Sequence, residues 1–299
     1  MKTCLSPEIE RDLRDAVSQN SVSKFDELVS PLKWGKPSWC ASQLLLRVLD
    51  NDENKLWLWA KKLSSHKNPF TRRYAPMILL GLWGKDANRT LQLLIALSDD
   101  EDWIVREYAH SNWGELLKMD FEHVFPILEE MSTNTSANLR RCVTIAARIA
   151  GNTRKEEWVT SLINLLEPLL PDKTPYVRKN LGPYAIGDGL LRCYPESALK
   201  HLRRWALRKD EGTRWNVAMA FASYGGNKNW REGLQVLETL AADKRRYVWR
   251  ATASALLYLA RRHAEIRVML EAWKIDPQRR TVAETALKHL RERSQVMEA

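Results

Sequence analysis

The chain has 299 residues, 44% of them apolar, enough for a substantial core, and it carries a formal charge of +10 with a pI near 9.5. That excess favours a polyanionic partner, nucleic acid above all. No run approaches the roughly 20 apolar residues that cross a bilayer, and MKTCLSPEIERDLRDAV at the start lacks the apolar centre of a secretory signal. The four cysteines, Cys4, Cys40, Cys142 and Cys193, form no close pair. This spacing predicts neither a zinc motif nor a disulfide framework, and a reducing cytoplasm is the expected setting.

Residues 1–35 read as one or two amphipathic helices broken near Pro31 and Gly35, and together they form an N-terminal cap over residues 1–40. ASQLLLRVLD (41–50) and NKLWLWAKKLS (54–64) are the next helices, and no strand is evident. From residue 68 a pattern recurs: a short residue, an arginine or substitute, then a second and usually basic residue. It reads Thr71-Arg72-Arg73, Val105-Arg106-Glu107, Leu139-Arg140-Arg141, Val177-Arg178-Lys179, Thr213-Arg214-Trp215 and Val248-Trp249-Arg250. The middle positions are 34, 34, 38, 36 and 35 residues apart, with another amphipathic helix in each interval. A helix pair at a near-constant period cannot bury its own apolar face, so neighbouring pairs must stack. The expected fold is an all-α solenoid resembling HEAT repeats: a repeat array over 41–275, a capping helix over 276–299, and a curved superhelix with a basic concave face.

In such a stack the six marked segments open the second helices and form a ladder. Arginines at this spacing can follow a phosphate backbone. The expected DNA contacts are Arg72, Arg73, Arg106, Arg140, Arg141, Arg178, Lys179, Arg214, Trp215 and Arg250. The alternative for each arginine is an ion pair that holds adjacent repeats together.

Glu107 is the one acid at the third position of the ladder. It lies in SDDEDWIVREYAHSNWGELLK (98–118), whose acidic start suits a helix N-terminus. Trp103, Glu107, His110 and Gly114 share one side of that helix at about 100° per residue; Val105, Ala109, Asn112 and Leu116 share the other. A carboxylate facing a polyanion weakens binding unless the partner presents a cation. Alkylated purines do so, and loss of such a base passes through an oxocarbenium-like sugar that a carboxylate stabilises. Trp103 could stack on the cationic base. The alternatives are a helix-start tryptophan packed on the preceding turn and a glutamate paired with a neighbouring arginine.

These features resemble the AlkD/AlkC superfamily of HEAT-like DNA glycosylases over roughly residues 40–260. Trp103 and Glu107 match that family's tryptophan and catalytic acid four residues apart, with Glu for the usual Asp. Arg141 matches its backbone-holding arginine one repeat later. Where the family has a second tryptophan, this chain has Pro183, within NLGPYAIGDGLL. Tyr184 is the substitute aromatic, and Asp188 is a possible second acid in a segment that Gly182, Pro183, Gly187 and Gly189 should kink or open. His110 could orient Glu107 or touch a phosphate; the favoured alternative is a surface or packing histidine. The resemblance implies hydrolytic excision of cationic alkylpurines such as 7-methylguanine and 3-methyladenine from double-stranded DNA, by a monomer, without metal or other cofactor and without deep base flipping. The competing expectation is a non-catalytic scaffold for DNA, RNA or protein. No phosphate-binding, hydrolase or dinucleotide motif occurs, and no histidine sits at metal-ligand spacing.

Overall fold

The computed structural model describes residues 5–298, with side chains to residue 292. Cys4 therefore lies outside the described residues. No strand occurs among them, and no helix among them is long and apolar enough to cross a membrane. The chain divides into two compact units, Met1–Phe121 and Glu122–Ala299.

The first unit holds α1 (Pro7–Ser18), α2 (Val22–Val29), α3 (Lys36–Leu49), α4 (Glu53–Ser64), α5 (Pro69–Arg72), α6 (Ala75–Leu82), α7 (Ala87–Ser98) and α8 (Trp103–Met119). The helix starts are written in the sequence. Ser6, Ser21, Asp52, Asn68, Asp86 and Asp102 each accept a backbone N–H of the following first turn. Helix α6 packs on α4, α7 and α8, so helix pairs stack in chain order. Their shared core includes Phe25 edge-on to Trp59 and Tyr74, at 5.3 and 5.4 Å between ring centres. Buried Trp113 donates its indole N–H to Ser98 Oγ at 2.9 Å.

The second unit holds α9 (Phe121–Ser132), α10 (Ala137–Gly151), α11 (Val159–Leu166), α12 (Pro175–Asn180), α13 (Pro195–Ala206), α14 (Glu211–Ala220), α15 (Tyr224–Lys228), α16 (Trp230–Ala241), α17 (Arg246–Ala260), α18 (Ala264–Trp273) and α19 (Arg280–Glu298). A π-helix, Leu181–Leu191, continues α12. The second helices form one continuous layer: α10 packs on the π-helix, the π-helix on α14, α14 on α17 and α17 on α19. The first helices α11, α13 and α16 pack likewise. This stacking of helix pairs is the expected α-solenoid.

The π-helix has a local cause. Pro183 has no N–H to give, so the i→i−4 ladder cannot run through it. Close packing then requires glycine. A Cβ on Gly187 would lie 2.5 Å from Ala220 O and from Ser223 Oγ, and one on Gly182 would lie 2.9 Å from Asn216 O. The segment is irregular, as expected, but at Gly182 and Gly187 the glycines close the gap to α14 and do not widen a pocket.

One cysteine departs from expectation. Cys40 is disulfide-bonded, while Cys142 and Cys193 are buried and form no disulfide.

Candidate functional site

The ladder arginines repeat one device. Arg72 grips Asp100 with two parallel hydrogen bonds, Nε at 2.7 Å and Nη2 at 2.8 Å, while its Nη1 donates to the His66 carbonyl at 2.6 Å. Arg140 Nε meets Asp172 Oδ2 at 2.6 Å, and its Nη1 donates to the Asn134 and Thr135 carbonyls, each at 2.8 Å. Arg214 Nε lies 2.6 Å from Asp243 Oδ2, and its Nη1 donates to Ala206 O. Each of these acids also accepts the backbone N–H two residues on, from Asp102, Thr174 and Arg245 respectively. One carboxylate thus shapes a helix-start turn and pins the arginine of the preceding repeat. Arg106 makes the carbonyl half of the device, to Asp100 O and Glu101 O.

Electrostatics agree with this geometry. Burial alone would push the Asp172 carboxyl up, but hydrogen bonds from Arg140 and Thr174 outweigh it and hold the group below the usual carboxylate range. Asp243 is lowered in the same way, burial being overcome by Arg245 and then Arg214.

Donors of Arg72, Arg140 and Arg214 thus meet an acid of the next repeat and donors of Arg106 meet carbonyls, the stack-holding arrangement set beside phosphate contact for each ladder arginine. Arg73 and Arg141 are buried. Arg73 is fully enclosed, donates to Leu32 O at 2.9 Å, and sits over the rings of Phe70, Tyr74 and Tyr108. Burial pushes the neighbouring Tyr74 phenol up to about 12, with Arg73 acting against the shift. Arg141 lies over Tyr176 at 4.5 Å. Of the expected contacts, Lys179 and Arg250 are exposed, and Arg178 and Trp215 are half-buried.

Helix α8 carries the expected catalytic pair. Asp102 Oδ1 accepts Ile104 N at 2.8 Å and fixes the helix start, so that Trp103 opens the first turn at 56% exposure. Glu107, one turn on, is half-buried; it is not without a partner. The rest of the expected row is not a surface. His110 is fully buried with Nε2 3.0 Å from Ser98 O, and Gly114 is buried too. The imidazole is a packing group that ties α8 to the end of α7, not a pocket residue. The face broadens in another direction. Trp34, 51% exposed, lies 5.9 Å from Trp103 and stands edge-on to Tyr108 at 5.1 Å, and Tyr108 shares a 2.6 Å hydrogen bond with Ser38. Sequence reading missed Trp34, because it lies outside the repeat that defined the ladder.

In the second unit Tyr184 is half-buried under the Arg148 guanidinium, 4.4 Å from the ring centre. Asp188 Oδ1 accepts Tyr224 N at 2.8 Å and so serves the start of α15. Beyond it, Trp215 stacks on Tyr247, with ring centres 5.6 Å apart and planes 12° apart. Among the described residues no cluster of His, Cys, Asp or Glu could hold a metal ion.

The fold and these pairs define an all-α helical-repeat protein. Neither the protein-family models nor the curated proteins include a match to this chain. Among solved structures it is similar to YibA of E. coli, at 18% identity over 97% of this chain and 99% of that one, with a TM-score of 0.42. A designed armadillo repeat protein matches at 17% identity over 66% of this chain and 98% of its own, with a TM-score of 0.31. An engineered protein matches at 15% identity over 84% and 98%, with a TM-score of 0.27.

Proposed function

We propose that the protein is a DNA glycosylase that excises cationic alkylated purines from duplex DNA. The observation that carries this reading is the start of α8, where an exposed indole and a half-buried carboxylate stand one helical turn apart. An aromatic face and a negative charge together favour an alkylated, positively charged base over a neutral one. Breaking the C1′–N bond returns the bonding electrons to the base, which departs neutral and leaves a sugar cation. Glu107 stabilises that cation and orients the water that adds to C1′, and the water's proton passes to the carboxylate and then to solvent. Trp103 contacts the lesion nucleotide. Lys179 and Arg250, the exposed members of the expected set, remain to hold the strands. No metal or other cofactor is needed, and the enzyme would work as a monomer on DNA in the cytoplasm.

A second reading, a non-catalytic scaffold for DNA, RNA or protein, is favoured by the Arg–Asp pairs, which withdraw much of the ladder from a phosphate-binding role. Pro183 in place of a second tryptophan also favours it. Methylated duplex DNA separates the two. A glycosylase releases free 7-methylguanine or 3-methyladenine with multiple turnovers, and a scaffold binds the duplex and releases neither.

A further inference from the structure

The second unit contains a cleft that the proposed chemistry does not use. It has a volume of about 620 Å³ and is lined by Trp215, Met219, Arg246, Tyr247, Arg250 and Ser254. One wall is the Trp215–Tyr247 stack. The Arg178 guanidinium covers that wall from behind, 4.9 Å from the Tyr247 ring centre and 5.6 Å from that of Trp215. Arg246 and Arg250 rise from the first turn and a half of α17, are exposed, and have no ion pair among the described residues. The Tyr247 hydroxyl is buried with no protein partner. The acid that acts on Tyr247 is Glu211, at the exposed start of α14.

We infer that this cleft binds one unstacked nucleotide of a single-stranded nucleic acid. The base stacks on the Trp215–Tyr247 wall, and the flanking phosphates meet Arg246 and Arg250. The chemistry favours this occupant over others. A flat aromatic wall rewards any base, because every base has a π-face. The two guanidiniums that neighbour it reward phosphate and give planar, two-pronged contacts. A duplex satisfies only the second half of the site, since its bases are paired and stacked on each other. The volume lies within the range of small-ligand clefts and leaves room for a base and its sugar. Arg178, held face-on to the rings, gives the wall a cationic backing that suits an electron-rich base. The cleft shares Arg250 with the strand grip of the glycosylase reading, but its aromatic wall is used by neither Trp103 nor Glu107 and its ligand carries no lesion.

The test uses the full chain and two end-labelled probes read by fluorescence anisotropy: an eight-residue oligothymidylate and an eight-residue abasic strand of equal charge. The wild type should bind the thymidylate about tenfold or more tightly than the abasic strand. Trp215→Leu and Tyr247→Leu should erase that preference, and Tyr247→Phe, which keeps the ring, should retain it. Arg246→Gln with Arg250→Gln should weaken both probes alike and reduce the salt slope by about 1.4, the value for two phosphates on a single strand. Should Trp215→Leu fail to fold by circular dichroism, the Tyr247 pair and the exposed arginines still decide the matter. Equal binding of the two probes by wild type would overturn the inference and reduce the cleft to a phosphate contact. Equal preference in Tyr247→Leu and Tyr247→Phe would overturn it as well. Glu107→Gln should bind both probes as wild type does, so a failed base-release assay and a failed cleft remain distinguishable.

Discussion

Replacing Arg140 by alanine removes one partner of a pair whose other member has almost no access to water. The Asp172 side chain is 7% exposed and that of Arg140 is 18%. Without the guanidinium, Asp172 keeps the N–H of Thr174 at 2.7 Å but loses its counter-charge. Breaking a buried pair in this way costs about 3–5 kcal/mol. The slight exposure of Arg140 lets water re-solvate part of the site, which points to the lower end, about 3 kcal/mol. Arg204→Ala is the internal control: its pair with Glu167 leaves Arg204 57% exposed, so the loss there should stay under about 1 kcal/mol. The assay is urea unfolding of the full chain, followed by tryptophan fluorescence, with hydrogen exchange in α10 and α12 to localise the effect. A loss below about 1 kcal/mol for Arg140→Ala, accompanied by a sharp fall in duplex affinity, would refute the reasoning and restore Arg140 to the phosphate backbone.

Three further outcomes follow from the same structure. Asp172 and Asp243 are lowered in the folded state, so their contribution is complete above the ordinary carboxylate value of 3.8 and is lost as pH falls through the folded value. Asp172→Asn with Asp243→Asn should therefore lose less stability than wild type between about pH 4 and pH 2, measured by thermal melts; a steeper acid loss in the variant would contradict the sign. Gly187→Ala forces a Cβ to 2.5 Å from the Ala220 carbonyl and should destabilise by about 1–3 kcal/mol in urea, whereas an unchanged midpoint would show that the π-helix can move away from α14. Duplex affinity should fall with salt, with Lys179→Gln and Arg250→Gln each removing about 0.9 from the log–log slope. A slope that neither substitution changes would mean these exposed cations do not meet phosphate.

Much of the fold was legible because its signals are local and repeat. The near-constant spacing of the Thr71, Val105, Leu139, Val177, Thr213 and Val248 segments marks real second-helix starts. Capping residues such as Asp102 and Ser136 sit where helices begin. The segment with Gly182, Pro183 and Gly187 announced an irregular helix, although the hydrogen-bond shift that results cannot be read from a proline alone. The arginines show where sequence reasoning stops. Arginine at a helix start is equally suited to a phosphate and to a carboxylate. The decision lay in Asp100, Asp172 and Asp243, which stand about thirty residues downstream in turns that look merely polar. His110 packs, as its favoured alternative had it, whereas Gly114 misled because a helix wheel assigns sides and α8 is packed on both sides beyond its first turns. Trp34 and Tyr247 escaped notice because each acquires meaning only from a ring contact with a residue of another helix.

Single-turnover excision of 7-methylguanine from a methylated duplex, with wild type and Glu107→Gln measured at equal occupancy of the DNA, tests the proposed activity most directly. The account predicts steady release by wild type and a drop of at least about a hundredfold in the variant, the lower range for loss of a positioned acid–base group, with duplex affinity intact. Release at equal rates by both proteins, or no release by wild type, would contradict it.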